Sequence, residues 1–135
     1  MRAVLDPNIL IAALLSPTRT PARAVVRWLA GESELIVSEL LLRELDRALA
    51  YPKLRDRILS EDAKAFVELL REAAIVAPDP VSGSHHSSDA GDDYLLALAE
   101  VGRAVLVTGD AHLLVLAGEL PIVTARAFVE SLALP

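Results

Sequence analysis

Short apolar runs alternate with longer stretches of helical period along the whole chain, and this alternation constrains the fold more than any other feature. Ala3-Val4-Leu5 ends at Asp6, Leu35-Ile36-Val37 at Ser38, and Ala104-Val105-Leu106-Val107-Thr108 at Gly109, with shorter runs at Ile75-Val76 and Ile122-Val123. Each reads as a buried strand. Between them, the spacing predicts helices over Asn8 to Leu15 with Pro7 at the first position, over Arg23 to Ala30, and over Glu39 to Ala50 behind a Ser38 cap, stopped by Pro52. Further helices are predicted over Glu61 to Ala73 behind Ser60, Asp92 to Val101 with Gly102 as the stop, Ala111 to Leu116, and Ala125 to Leu132. Pro78 to Gly91 is rich in Pro, Gly, Ser and Asp and reads as a loop. Strands alternating with helices call for an α/β fold, a parallel sheet with helices on both faces. With no internal repeat and no linker, residues 1–135 read as a single domain.

Composition matters here for what it removes. The chain has no cysteine, so disulfides, thiolate zinc sites and cysteine nucleophiles are excluded. Hydrophobic residues make up 53% of the chain and aromatic residues only 4%, which leaves Leu, Ala and Val to fill the core. Asp6, Pro7 and Asn8 interrupt the first apolar run too early for a secretory leader. No apolar segment approaches the ~20 residues that span a bilayer. The expectation is a soluble, cytoplasmic protein with no membrane partner. A net charge of −6 counts against binding nucleic acid through a broad basic surface. The cations nevertheless concentrate in the first half, at Arg19, Arg23, Arg27, Arg43, Arg47, Lys53, Arg55 and Arg57. That distribution suits an acidic metal pocket beside a basic rim, and it equally suits solvated helix faces.

Open parallel sheets bind ligands beyond the carboxyl ends of their strands, where strand order reverses. Asp6 follows the first strand and Asp110 the strongest one, so both are placed at that edge; each is also a natural helix N-cap. In the helix after Ser38 the buried stripe is Leu41, Leu42, Leu45, Ala48 and Leu49. At roughly 100° per residue Glu44 falls on the flank of that stripe, either reaching solvent or pointing into a polar pocket. Asp92 tops the stripe of Leu95, Leu96 and Ala99, while Asp93 is turned about 100° away, towards solvent. Four carboxylates at one edge repel one another, and burial adds to the cost of ionising them. A divalent cation removes both problems, and oxygen-only ligands suit Mg²⁺ or Mn²⁺.

These segments match a family in order. Val4-Leu5-Asp6-Pro7-Asn8-Ile9-Leu10 resembles the opening of PIN-domain ribonucleases, and Ser38 to Leu49, with Glu44 inside, resembles their second acidic position. Asp89 to Ala99 resembles the third acidic segment, and Val107-Thr108-Gly109-Asp110 the final Thr-x-Asp motif. The resemblance implies a PIN-like three-layer α/β/α sandwich with strand order 3-2-1-4-5 and Asp6 and Asp110 on adjacent strands. It implies a metal-dependent endoribonuclease, VapC-like, often the toxin of a bacterial toxin–antitoxin pair, with an RNA substrate, an antitoxin partner and a homodimeric state. The chain departs from the family at Pro7, where Thr or Ser is usual, at His112, where many relatives carry an acid, and at Ala90-Gly91, in place of Pro-Asp.

On this reading Asp6, Glu44 and Asp92 hold Mg²⁺ or Mn²⁺, directly or through water. Asp110 orients the attacking water or helps hold a second ion. Asn8, Thr108, Asp93 and Ser38 support them: Asn8 and Thr108 by hydrogen bonds to the carboxylates, Ser38 by capping. Hydrolysis leaves 5′-phosphate and 3′-hydroxyl ends. His85, His86 and His112 read as exposed loop or helix residues. Three rival readings compete with this one. A phosphoacceptor receiver domain wants paired acids at the first strand and a Lys near the last, but no Lys follows Lys64. An Asp-x-Asp phosphatase loses its general acid to Asn8. An inactive PIN-like module that binds RNA or protein keeps the fold and drops the chemistry.

Overall fold

The computed structural model describes residues 1–81, 87 and 90–132. Five strands are present: β1 (Arg2–Leu5), β2 (Glu34–Val37), β3 (Ile75–Val76), β4 (Val105–Val107) and β5 (Ile122–Val123). They form one parallel sheet in the order β3-β2-β1-β4-β5. The register sets Ala3 beside Leu35 on one side and Leu5 beside Val107 on the other. The chain therefore leaves β1 towards one edge and later returns to the other side of β1, so the switch point lies between β1 and β4.

Among the described residues, eight α-helices surround the sheet: α1 (Pro7–Leu15), α2 (Thr20–Leu29), α3 (Glu39–Leu49), α4 (Pro52–Arg55), α5 (Ser60–Ala73), α6 (Asp93–Gly102), α7 (Ala111–Leu114) and α8 (Ala125–Leu132). Helix α1 packs on α2 and α3, α3 on α5, and α2 on α8, whereas α6 lies against β1, β4 and β2. Leu5, Leu10, Leu35, Ile36, Leu41, Leu45, Leu95, Leu98 and Leu106 are fully buried among these layers. Burial of a side chain of this size contributes about 1.5–3 kcal/mol. Both central strands, β1 and β4, are apolar on successive residues, because each is covered on two faces. Among the described residues, no single helix is long and apolar enough to cross a membrane.

Three local features differ from the expectations. Pro52, read as a stop, instead opens the short helix α4, as its fixed φ permits at a first helical position. Ser60 does not cap α5; it is the first helical residue, and Leu59 precedes it without a side-chain cap. Gly102 is not the stop of α6 but its last helical residue, while Arg103 takes the left-handed conformation, with φ of 51°. The glycine serves close packing: a Cβ at position 102 would sit 2.7 Å from Ile36 Cδ1.

Candidate active site

Asp6 is the residue between β1 and α1, and 4% of it is exposed. Its backbone N–H donates to the Val107 carbonyl at 3.0 Å, which extends the β1–β4 ladder one step past the strand. Its carboxylate is held from two sides. Oδ1 accepts the backbone N–H of Asn8 at 2.9 Å, the N-cap bond of α1. Oδ2 accepts the hydroxyl of Thr108 at 2.8 Å, and Thr108 Oγ1 in turn accepts the backbone N–H of Asp110 at 3.0 Å. Thr108 is wholly buried, and its own N–H is tied to the Val123 carbonyl at 3.0 Å. A relay therefore runs from the Asp110 backbone through one hydroxyl to Asp6, across the switch point.

Asp110 is half-buried and caps α7, its Oδ1 accepting the backbone N–H of His112 at 2.8 Å. The capping reading of Asp6 and Asp110 is thus correct as geometry, but it does not exhaust either group. A carboxylate offers about four lone-pair sites, and each cap uses one of them. Burial pushes the Asp6 carboxyl above its ordinary value; the bonds from Asn8 and Thr108 oppose this, and the charge of Asp110 adds to it. Two acids at the switch point, one of them buried, make a place where a cation is favoured.

The helix-borne acids are held differently. Glu44 projects from the flank of α3 with 36% of its side chain exposed, and both of its carboxylate oxygens accept from Arg47 Nη2 one turn later. The solvent-facing and pocket-facing readings of Glu44 both describe part of its position. Asp92 ends the 3₁₀ turn Ala90–Asp92 and is the N-cap residue of α6, which begins one residue later than expected. It is half-buried, and its Oδ2 is shielded from solvent. Asp93 is not turned out to solvent: it is half-buried too, and its Oδ1 accepts the Ser87 backbone N–H at 2.8 Å. That bond ties the preceding segment to the start of α6. Ser38 is buried and caps α3 through Leu41 N–H at 3.2 Å.

Of the supporting residues, Asn8 acts through its backbone N–H while the residue itself is exposed. His112 is exposed at the start of α7, and His85 and His86 lie outside the described residues.

Two residues at this edge carry no signal in the sequence reading. Tyr94 is half-buried against the core, and burial holds its phenol far above the ordinary value. The charges of Asp6, Glu44, Asp92 and Asp79 push it the same way. Asp79 accepts the Leu40 backbone N–H at 3.0 Å and thereby fastens the Pro78–Pro80 segment to the first turn of α3. Its place in a Pro-rich loop conceals a bond to a residue 39 positions away. Tyr94 stands off the Leu95-Leu96-Ala99 stripe, and a polar-tipped aromatic beside Asp92 was the one available hint.

Among the described residues, no three Asp, Glu or His side chains stand ready as a closed metal cage. The donor set still fits a hard cation. Mg²⁺ keeps several waters and needs only one or two carboxylates from the protein. Asp6 meets that need, since an ion there would offset both its burial and the charge of Asp110.

With the fold and this edge established, one comparison with known proteins gives the family and others give the fold. The PIN domain family model matches residues 2–112, which include Asp6, Glu44, Asp92 and Asp110. The chain belongs to the PIN domain family. An uncharacterized protein of Methanocaldococcus jannaschii is 24% identical over 142 residues, covering 96% of this chain and 90% of the relative. Two solved structures share the fold. PAE2754 from Pyrobaculum aerophilum superposes with a TM-score of 0.66 at 18% identity, covering 98% of this chain and 90% of that one. VapBC2 from Rickettsia felis, bound to a DNA fragment from its promoter, gives a TM-score of 0.62 at 15% identity, covering 91% of this chain and 97% of the other.

Proposed function

We propose that this protein is a Mg²⁺- or Mn²⁺-dependent endoribonuclease that hydrolyses RNA phosphodiester bonds to 5′-phosphate and 3′-hydroxyl ends. The observation that carries the reading is the buried Asp6 carboxylate, aligned by the Thr108 hydroxyl at the β1–β4 switch point of a PIN domain. Asp6, Glu44 and Asp92 would hold the ion, with Asp110 beside Asp6. When bound, the ion lowers the pKa of a water and polarises the scissile phosphate. The protein's own part is alignment. Thr108 and the Asn8 N–H keep both oxygens of Asp6 at fixed angles, and Asp110 offers an acceptor for the proton side of an attacking water. Tyr94, kept protonated, is a donor among these acids.

The likeness to the VapBC2 complex supports a place in a toxin–antitoxin pair, with an antitoxin as protein partner; a homodimer is proposed as the assembly on the family resemblance alone. A second reading, an inactive PIN-like module that binds RNA or protein, is favoured by one observation: Glu44 is occupied by Arg47 rather than turned fully to the other acids. Cleavage of an end-labelled structured RNA in Mg²⁺, Mn²⁺ or EDTA separates the two. The nuclease cuts only with metal and leaves a 5′-phosphate. A 2′,3′-cyclic phosphate product would sink the water-attack mechanism, and metal-independent binding without cutting would favour the inactive module.

A further inference from the structure

The chain carries a net charge of −6, and its proposed site is built from carboxylates, yet the substrate of that site is a polyanion. Some cation at this edge has to meet the phosphate. Arg47 is a cation ion-paired to one of the four proposed ligands, its Nη2 donating to both oxygens of Glu44. Arg47 lies one helical turn beyond Glu44 on α3, with 66% of its side chain exposed, and it interacts electrostatically with Tyr94, as do Asp6 and Asp92. Arg43, one turn earlier on the same helix, is exposed. Exposed ion pairs of this kind are weak and exchange readily. A guanidinium stays charged under all working conditions and matches two phosphate oxygens in a planar fork.

Resting on the nuclease reading, we propose that Arg47 is a substrate-phosphate contact that Glu44 holds in reserve. In the metal-free protein, Glu44 spends its charge on Arg47. When a divalent ion takes Glu44, the guanidinium is released at the rim of the site and turns to the RNA backbone. Metal loading and substrate affinity are then linked through one exchange of partners. The short i,i+3 pair lets that exchange proceed by side-chain rotation alone, with α3 unmoved.

The test requires no turnover. Mn²⁺ titration of the metal-free protein is expected to show roughly threefold tighter binding in Arg47→Ala than in wild type, because a weak competitor for Glu44 is removed. Anisotropy of a fluorescein-labelled single-stranded RNA in EDTA is then compared across wild type, Glu44→Gln, Arg47→Ala and the double variant. Removing Arg47 is expected to weaken RNA binding about tenfold in the Glu44→Gln background, where the guanidinium is free, and little in the wild-type background. In the Glu44→Gln background its removal also lowers the slope of log affinity against log salt by about one. Arg43→Ala, as control, has the same effect in both backgrounds. Equal effects of Arg47→Ala in the two backgrounds overturn the exchange, as does unchanged or weaker Mn²⁺ binding in Arg47→Ala. A wild type that takes up no Mn²⁺ overturns the metal reading together with this one, whereas Mn²⁺ uptake with additive RNA effects overturns the exchange alone.

Discussion

The acids at the strand ends and the acids on the helices are held in place by different forces. Asp6 is set by a backbone ladder bond, a helix cap and a buried hydroxyl, so little of its geometry is free to change. Glu44 is set by a half-exposed ion pair. Asp92 lies at a helix start whose preceding segment is fastened through Asp93 and Ser87. The difference is one of rigidity: the strand half is fixed by buried bonds, whereas Glu44 rests on a half-exposed ion pair whose side chains can rotate.

The largest expected effect breaks the anchor. Asp6→Asn is expected to lower metal-dependent RNA cleavage by about 10²–10³-fold, the scale of losing one preorganised electrostatic group, while the protein remains folded by circular dichroism. The helix half is sharpened by the neighbouring pair. Asp92→Asn is expected to abolish most of the metal-dependent cleavage, and Asp93→Asn, whose amide oxygen can still accept from Ser87 N–H, to preserve most of it. Equal losses in both would transfer the ligand role away from Asp92 alone.

A smaller effect tests the relay without touching an acid. Thr108→Val leaves the Asp110 N–H and Asp6 Oδ2 without their shared hydroxyl in a buried place, so chemical denaturation is expected to show a loss of about 1–3 kcal/mol. The smallest effect is a pH dependence. The Asp6 carboxyl is raised in the folded state, chiefly by burial, so the folded protein binds its proton more tightly than the unfolded chain does. Its contribution to stability is therefore complete below the ordinary aspartate value and is lost as pH rises through the raised folded value. Without divalent ions, stability in that window is expected to fall with pH, and Asp6→Asn to flatten the slope. Added Mg²⁺ is expected to stabilise wild type more at neutral than at acidic pH, since the ion binds the charged form.

Much of this architecture is legible in the chain because short-range rules determine it. Apolar runs such as Val4-Leu5 and Leu106-Val107 can be covered only from both faces, and the helices between them impose parallel crossovers. Asp6 and Asp110 sit at strand ends by their place in the sequence, whatever the rest of the fold does. The helix after Ser38 follows from one cap and one leucine stripe. The less legible features depend on contacts that no local pattern encodes. Gly102 reads as a helix stop, but Ile36, on a neighbouring strand, makes it a packing glycine. Asp93 reads as exposed, but its Oδ1 accepts the Ser87 N–H. Pro52 reads as a terminator, although the same fixed φ that ends one helix begins the next.

The sequence by itself therefore determined the alternation of strands and helices, the apolar core and the presence of acids at the ends of β1 and β4, since periodicity and strand position are properties of neighbouring residues. Tertiary structure decided which side chains share an environment. It set Thr108 against Asp6 across 102 positions, gathered Asp79 and Tyr94 at the same edge, and gave Glu44 to Arg47. Those outcomes depend on sheet register and on how the helices dock, and a hydrogen bond or ion pair responds to distances that only the assembled layers define.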